Sequence, residues 1–273
     1  MATKIRRRPE WVTELGGNVA VRSSLPKYVG PDIRPFDRKM TQEEIKARFD
    51  AETAAVYSQR KPLWLPEHDY AMGLVLKALE PYLSAPARVL DLGAGTGNLS
   101  RRILKAFKEC HVTLVDFSQN MLSEAPRVLA GFEGRYETSL QDFGSAEFPE
   151  ARYDGVVASF AIHHGRGEAV YQSLYHKICR WLKSPGIFVC YDVIEGDTPA
   201  LAELNEEGWR QFLRKRFPAR ETERILSNYR REDSPLSLQR HLNLLTLAGF
   251  SSADVLWKRF NFGVYVGIKD IPF

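Results

Sequence analysis

The sequence predicts an α/β domain built on an open, mostly parallel sheet, and three observations carry that prediction. The stretch Arg88-Val-Leu-Asp-Leu-Gly-Ala-Gly-Thr-Gly-Asn-Leu99 sets a short apolar run, Val89, Leu90 and Leu92, against Gly93, Gly95 and Gly97. This reads as a buried strand entering a sharp turn, with a helix just beyond. A second apolar run, His111 to Asp116, ends in an acid about 25 residues past Asp91, the spacing at which a ribose diol is held in dinucleotide folds. Further short apolar runs then alternate with amphipathic stretches of helical period, the order of a parallel sheet covered by helices. At 273 residues and 44% hydrophobic, the chain can build a full core of this kind.

Glycine suits the central turn because the chain must reverse sharply and a ligand must approach the backbone, where a Cβ would stand in the way. The nicotinamide and flavin fingerprint is G-x-G-x-x-G. Here the third glycine comes one residue early and Asn98 stands where the last glycine would, which argues against a dinucleotide.

This D-x-G-x-G-x-G pattern, with the segments after it, resembles motif I of the class I S-adenosylmethionine-dependent methyltransferases. The resemblance runs in motif order from about 41 to 268. It implies a Rossmann-like seven-stranded sheet, mostly parallel with an antiparallel last strand, helices on both faces, an N-terminal helical lid and a helical insert after strand five. The implied cofactor is S-adenosyl-L-methionine, which brings a carboxylate to the backbone N–H groups of the turn and an ammonium that an acid can balance. Asp91, Gly93, Ala94, Gly95 and Gly97 are the corresponding residues here.

In chain order, 1–40 reads as an arm, partly disordered, and 41–273 as the methyltransferase domain. Thr41-Gln-Glu-Glu44 matches a capping box, with Ile45, Phe49 and Val56 at helical spacing to about Ser58. After Pro62 and Pro66 a second helix carries Leu74, Leu79 and Leu83 toward the sheet. These helices, within 41–84, form the lid of the resemblance. Tyr57, Arg60 and Trp64 are its candidate contacts, since an aromatic face stabilises a sulfonium and a guanidinium pairs with a carboxylate; core packing for the two aromatics and solvation for Arg60 account for them equally well.

A helix over 100–107 leads to the second strand. Asp116 is the candidate for the ribose, with Ser118 capping the next helix. The resemblance puts Phe117 and Met121 beside the adenosine. A third strand within 134–140 ends in Gln141-Asp142-Phe143, where the family uses an acid for the adenine amino group and an apolar side chain for its ring. A turn at Asp142 and Gly144 is the plainer reading.

Tyr153 to Ser159 reads as the fourth strand, followed by Phe160-Ala-Ile-His-His164 at the sheet edge where ligands bind. Ser159 belongs to the cofactor set and Phe160 to the substrate set. His163 or His164 could take a proton from an attacking hydroxyl or amine near neutral pH. Adjacent histidines lack the i, i+4 spacing of two metal ligands on one helix face, so no metal is expected.

A helix over 169–182 presents Val170, Leu174, Ile178 and Leu182, and the strand Ile187 to Asp192 follows. Tyr191 and Asp192 at its end are substrate candidates. The insert 198–233 carries Leu201, Leu204, Trp209, Phe212, Leu213 and Phe217, and if it roofs the acceptor then Trp209, Phe212 and Arg216 could touch it; a helical hairpin with these aromatics packed inward is the plainer reading. A helix over 237–248 and strands near 253–257 and 260–268 complete the sheet.

A net charge of +4, much of it in Lys4 and Arg6 to Arg8, identifies no partner. Three cysteines without a C-x-x-C and the absence of a membrane-length or signal-like apolar run fit a soluble cytoplasmic enzyme. The loop after the fourth strand lacks the Asp/Asn-Pro-Pro-aromatic run of amino-methyltransferases acting on bases and the paired glutamates of arginine methyltransferases. The expected activity is methyl transfer to an O, N, S or C atom of a small molecule. An RNA methyl- or carboxymethyltransferase, a non-catalytic cofactor-binding protein and a homodimer remain open.

Overall fold

The computed structural model describes residues 39–51 and 62–270, all within the compact unit Asp32–Phe273. The expected arm before Lys39, the run of the first helix to Ser58, and Tyr57 and Arg60 lie outside the described residues. The first helix, α1 (Gln42–Ala51), opens on the capping box: the Glu44 N–H donates to Thr41 Oγ1 at 3.2 Å and the Thr41 N–H to Glu44 Oε2 at 2.7 Å.

After one helical turn at 62–64, α2 (His68–Leu79) buries Ala71, Met72, Val75, Leu76 and Leu79. Leu74 and Leu83, expected on that face, flank it and are only half-buried. The stripe Ala71–Val75–Leu79 is the one in register with the sheet.

The sheet has β1 (Ala87–Leu92), β2 (Cys110–Asp116), β3 (Tyr136–Leu140), β4 (Tyr153–Ser159), β5 (Leu182–Val193), β6 (Ser252–Arg259) and β7 (Phe262–Lys269). Their order is β3-β2-β1-β4-β5-β7-β6, with β7 antiparallel to both of its neighbours and the rest parallel. β1 thus has β2 on one side and β4 on the other, and the strand order reverses there. A crevice opens at such a switch point beyond the carboxyl ends of the strands.

Because side chains alternate along each strand, the sheet separates two cores. Val89, Leu114, Val157 and Val189 face α2 and α3 (Asn98–Ala106), whereas Leu90, Leu92, Val156 and Phe188 face α6 (Glu168–Trp181). Between them, α4 (Gln119–Ser123) and α5 (Ala125–Val128) follow β2, and the Ser118 hydroxyl accepts the Met121 N–H as expected. α6 buries Tyr171, Leu174, Tyr175, Ile178 and Trp181. Val170 is not part of that stripe: it lies in the first turn, 43% exposed, and lines the central cavity.

The insert is a helical pair, α7 (Pro199–Arg214) and α8 (Ala219–Glu232), joined by Arg210 to Glu223 at 2.5 Å, with Glu206 pairing with Arg210 within α7 at 2.8 Å. Trp209 and Leu213 turn inward, while Leu201 and Leu204 stand exposed. α9 (Leu238–Leu247) then leads into β6. The α2 face sets a test by urea unfolding. Leu79→Ala, at a site with no exposure, is expected to cost about 3 kcal/mol, and Leu74→Ala less than about half as much. Equal losses would contradict this helix face.

Candidate active site

A cavity of about 610 Å³ lies at the switch point, reaching from the glycine turn to the loop after β4, with α1 along one side. Its size suits a cofactor or a drug-sized ligand. At its floor the chain leaves β1 through Gly93, Gly95 and Gly97, with φ of 64°, 55° and 85°. A Cβ on Gly93 would stand 2.3 Å from the Ala161 Cβ, so the bare Gly93 backbone of the turn packs directly on the Ala161 methyl of the β4 loop. A Cβ on Gly95 would meet no protein atom within 4 Å; its limits are the left-handed backbone and whatever fills the cavity.

Two acids hold this turn. Asp116 accepts the Gly95 N–H on Oδ2 at 2.8 Å and the Ser118 N–H on Oδ1 at 2.9 Å, which fixes its carboxylate at the cavity wall. Asp91, 1% exposed, accepts the Ser100 hydroxyl on Oδ2 at 2.6 Å, while its Oδ1 is buried and has no hydrogen-bond partner. Burial raises the Asp91 carboxyl to about 7. A buried acceptor left over beside a glycine cradle is what a ligand ammonium would satisfy, and the residues therefore fit S-adenosylmethionine.

Phe117, Met121, Asp142 and Phe143 line the neighbouring wall together with Ala94. Asp142 also does the work of the plainer reading: it accepts the Gly144 N–H at 2.9 Å and pairs with Lys46 of α1 at 2.6 Å.

The loop after β4 adds Ser159, Phe160, Ala161 and His164 to the cavity wall. Phe160 holds a left-handed φ of 55°, a conformation of order 1–3 kcal/mol above its alternatives, which lets its N–H reach the Tyr191 carbonyl at 3.0 Å. The two histidines occupy a 3₁₀ turn, Ile162–His164, and His164 alone of the pair lines the cavity. His163 is 5% exposed behind it.

Both oxygens of Asp192 are occupied there: Oδ2 takes the main-chain N–H groups of Ile162 and His163 at 3.0 and 3.2 Å, and Oδ1 takes His163 Nδ1 and the Val193 N–H. Burial pushes the His163 ring down, but the carboxylates of Asp192 and Asp233 outweigh it and hold the ring at about 10.

Three substrate candidates are placed elsewhere. Trp209 is 5% exposed in the core, its indole N–H donating to the Trp64 carbonyl at 2.8 Å and its ring packed on Phe262. Trp64 packs half-buried against the same core and is not part of the cavity wall. Tyr191 is fully buried beneath Phe160, ring centroids 4.6 Å apart. In each case a large apolar ring has more surface to bury in the core than at the wall.

Sequence reading missed Phe49 as a wall residue edge-on to His164, ring centroids 5.6 Å apart, and Asp233, which caps α8 some 70 positions from the histidines. Helical spacing marked Phe49 for burial but not for this site, and nothing local marks Asp233.

Residues 89–186 match the family model described as a methyltransferase domain. Carboxy-S-adenosyl-L-methionine synthase of Nautilia profundicola is 22% identical over 230 residues, 83% of this chain and 96% of that protein. Ubiquinone/menaquinone biosynthesis C-methyltransferase UbiE of Methylobacterium nodulans is 31% identical over 134 residues, 48% of this chain and 51% of that protein. Among solved structures, phosphoethanolamine N-methyltransferase 2 of Haemonchus contortus, in complex with S-adenosyl-L-methionine, shares the fold with a TM-score of 0.62 at 17% identity, covering 83% of this chain and 60% of that one.

The glycine cradle and its two acids, Asp91 and Asp116, all fall within the matched domain. Residues 89–186 are thus a methyltransferase domain, the relatives and the shared fold support a class I S-adenosylmethionine-dependent methyltransferase family, and S-adenosyl-L-methionine is the cofactor. Among the described residues no helix is long and apolar enough to cross a membrane.

The raised Asp91 carboxyl gives a signed pH test. Below about 7 the group is neutral and offers an ammonium little; above it the carboxylate is present. Calorimetry should find S-adenosylmethionine bound about tenfold more tightly at roughly pH 8 than at roughly pH 6, and Asp91→Asn should bind weakly with no such slope. A flat wild-type profile would take Asp91 out of the ammonium site.

Proposed function

We propose that this enzyme moves the methyl group of S-adenosylmethionine to an O, N, S or C atom of a small molecule seated between the glycine turn and His164. The observation that supports this most is the continuity of the cavity: one volume of about 610 Å³ is lined both by the cofactor residues and by Phe160, His164 and Phe49. In this reading the N–H groups of the turn meet the cofactor carboxylate, Asp91 its ammonium and Asp116 the ribose. Asp142 and Phe143, with Phe117 and Met121, surround the base, and Ser159 stands where the two ligands meet.

The bound sulfonium supplies an electrophilic methyl with a good leaving group, so the protein's contribution is positioning and exclusion of water. Phe160 and Phe49 give the cavity apolar surface, the Phe160 ring backed by Tyr191 and Phe262. The acceptor atom bonds to the methyl carbon as the carbon–sulfur bond breaks, and an acceptor that begins protonated passes its proton to a base. His164 is the imidazole on the wall, whereas His163 lies behind it with Nδ1 committed to Asp192. The three buried free cysteines support a cytoplasmic location.

A second reading is favoured by the length of one alignment. The carboxy-S-adenosyl-L-methionine synthase of Nautilia profundicola matches over 96% of its own length, whereas the C-methyltransferase matches over 51%. On that reading the product is a carboxylated cofactor instead of a methylated acceptor.

Methyl-labelled S-adenosylmethionine incubated with fractionated small-molecule extracts, read by mass spectrometry, separates the two. Label in a new small molecule, with S-adenosylhomocysteine formed in equal amount, supports methyl transfer. A cofactor heavier by a carboxylate supports the second reading. Once an acceptor is found, His164→Ala should lower turnover about 100-fold while cofactor affinity changes less than about threefold. Wild-type turnover in that variant would remove the base.

A further inference from the structure

We infer that His163, His164 and Asp233 form a binding site for one divalent transition-metal ion at the acceptor end of the cavity. Neighbouring residues in an extended or 3₁₀ segment ordinarily diverge, yet these two rings lie with centroids 4.0 Å apart at 52° to each other, and both turn toward one carboxylate. Asp233 Oδ1 is 3.4 Å from His163 Nε2 and 3.6 Å from His164 Nδ1, and the three donors lie within 4.8 Å of one another. Nitrogen and oxygen ligands about 2.1 Å from a tetrahedral ion stand about 3.4 Å apart, close to the two distances from Asp233 Oδ1 to the histidine nitrogens.

The surroundings are those of a ligand set. Asp192 holds His163 through Nδ1 and has its remaining positions filled by main-chain N–H groups, so Nε2 is the nitrogen turned toward Asp233. A carboxylate behind a histidine, fixing its ring and tautomer, is the usual support of a metal-bound imidazole. Asp233 is held in place by its own N–H, which donates to the Tyr229 carbonyl at 3.0 Å, and by the next residue, whose N–H reaches the His163 carbonyl at 2.9 Å.

Cationic groups also stand near. The Lys39 ammonium donates to the main-chain carbonyl of Asp233, and Arg166, on the cavity wall, and Glu195 lie near it. Asp192 and Asp233 together balance the charge of a divalent ion, which would take the place of a proton on His163 Nε2.

Two imidazoles and one carboxylate suit zinc, cobalt, iron or manganese and disfavour magnesium and calcium, which take oxygen ligands. With the ion bound, His164 is a ligand and no longer the base; because it lines the cavity, an open coordination position there would meet the acceptor and favour its ionised oxygen. That consequence, and only that, rests on the methyl-transfer reading.

The test is a metal titration of the full, tag-free chain after dialysis against a chelator. Zn²⁺ should bind at about one ion per chain with a sub-micromolar Kd, and Co²⁺ should give the visible absorption of a nitrogen- and oxygen-bound ion, while Mg²⁺ should not compete. Asp233→Asn and His164→Ala should each weaken Zn²⁺ binding at least about 100-fold, and Asp192→Asn about 10- to 100-fold. His176→Ala, at an exposed histidine elsewhere, should leave it unchanged. Circular dichroism and thermal unfolding of the variants guard against loss of fold.

No stoichiometric binding of Zn²⁺ or Co²⁺ by the wild-type chain would overturn the inference, as would unchanged affinity in folded Asp233→Asn and His164→Ala. Titration with S-adenosylmethionine on the same metal-free samples reports separately on the cofactor site.

Discussion

The bond from the Gly95 N–H to the Asp116 carboxylate ties the loop after β1 to the end of β2, and much of the site depends on it. The chain can donate there only because three glycines in the left-handed region reverse it within a few residues. That reversal starts α3 beside the sheet and leaves Asp91 buried under Ser100 with one oxygen unused. It also brings the Gly93 backbone so close to Ala161 that the loop after β4 is held over the same floor. Strand order, buried acid and cavity wall are thus parts of one constraint.

Local chemistry made this half of the protein legible in advance. Apolar runs of strand length, glycines at fixed intervals and an acid at the end of the second strand are short-range features, and the sheet placed them as that reading required. Thr41 with Glu44 and Ser118 with Met121 formed the caps expected of their spacing. The antiparallel seventh strand, expected from the resemblance, lies between β5 and β6.

Long-range packing was not legible. Trp209, Trp64 and Tyr191 carried the right chemistry for a ligand wall, but apolar burial drew all three into the core. Val170 shows the converse, a residue read as core that lines the cavity. Asp233 reaches the histidines only because α7 and α8 return the chain across the sheet edge, and no spacing rule connects residues so far apart. The same distance hid the role of Asp192, whose carboxylate stabilises the turn that carries both imidazoles. α1 packs against the insert here: the Met40 N–H donates to the Arg231 carbonyl at 2.8 Å and Arg48 pairs with Glu232.

The central claim is that the glycine turn with Asp91 and Asp116 holds a sulfonium nucleoside. Isothermal titration of the wild-type chain with S-adenosylmethionine, S-adenosylhomocysteine and NAD tests it most directly. The account predicts one site per chain with a Kd of order micromolar for the first two, about −8 kcal/mol, and no measurable heat with NAD. Binding of NAD, or of neither adenosyl compound, would contradict it and leave the turn as a structural glycine loop.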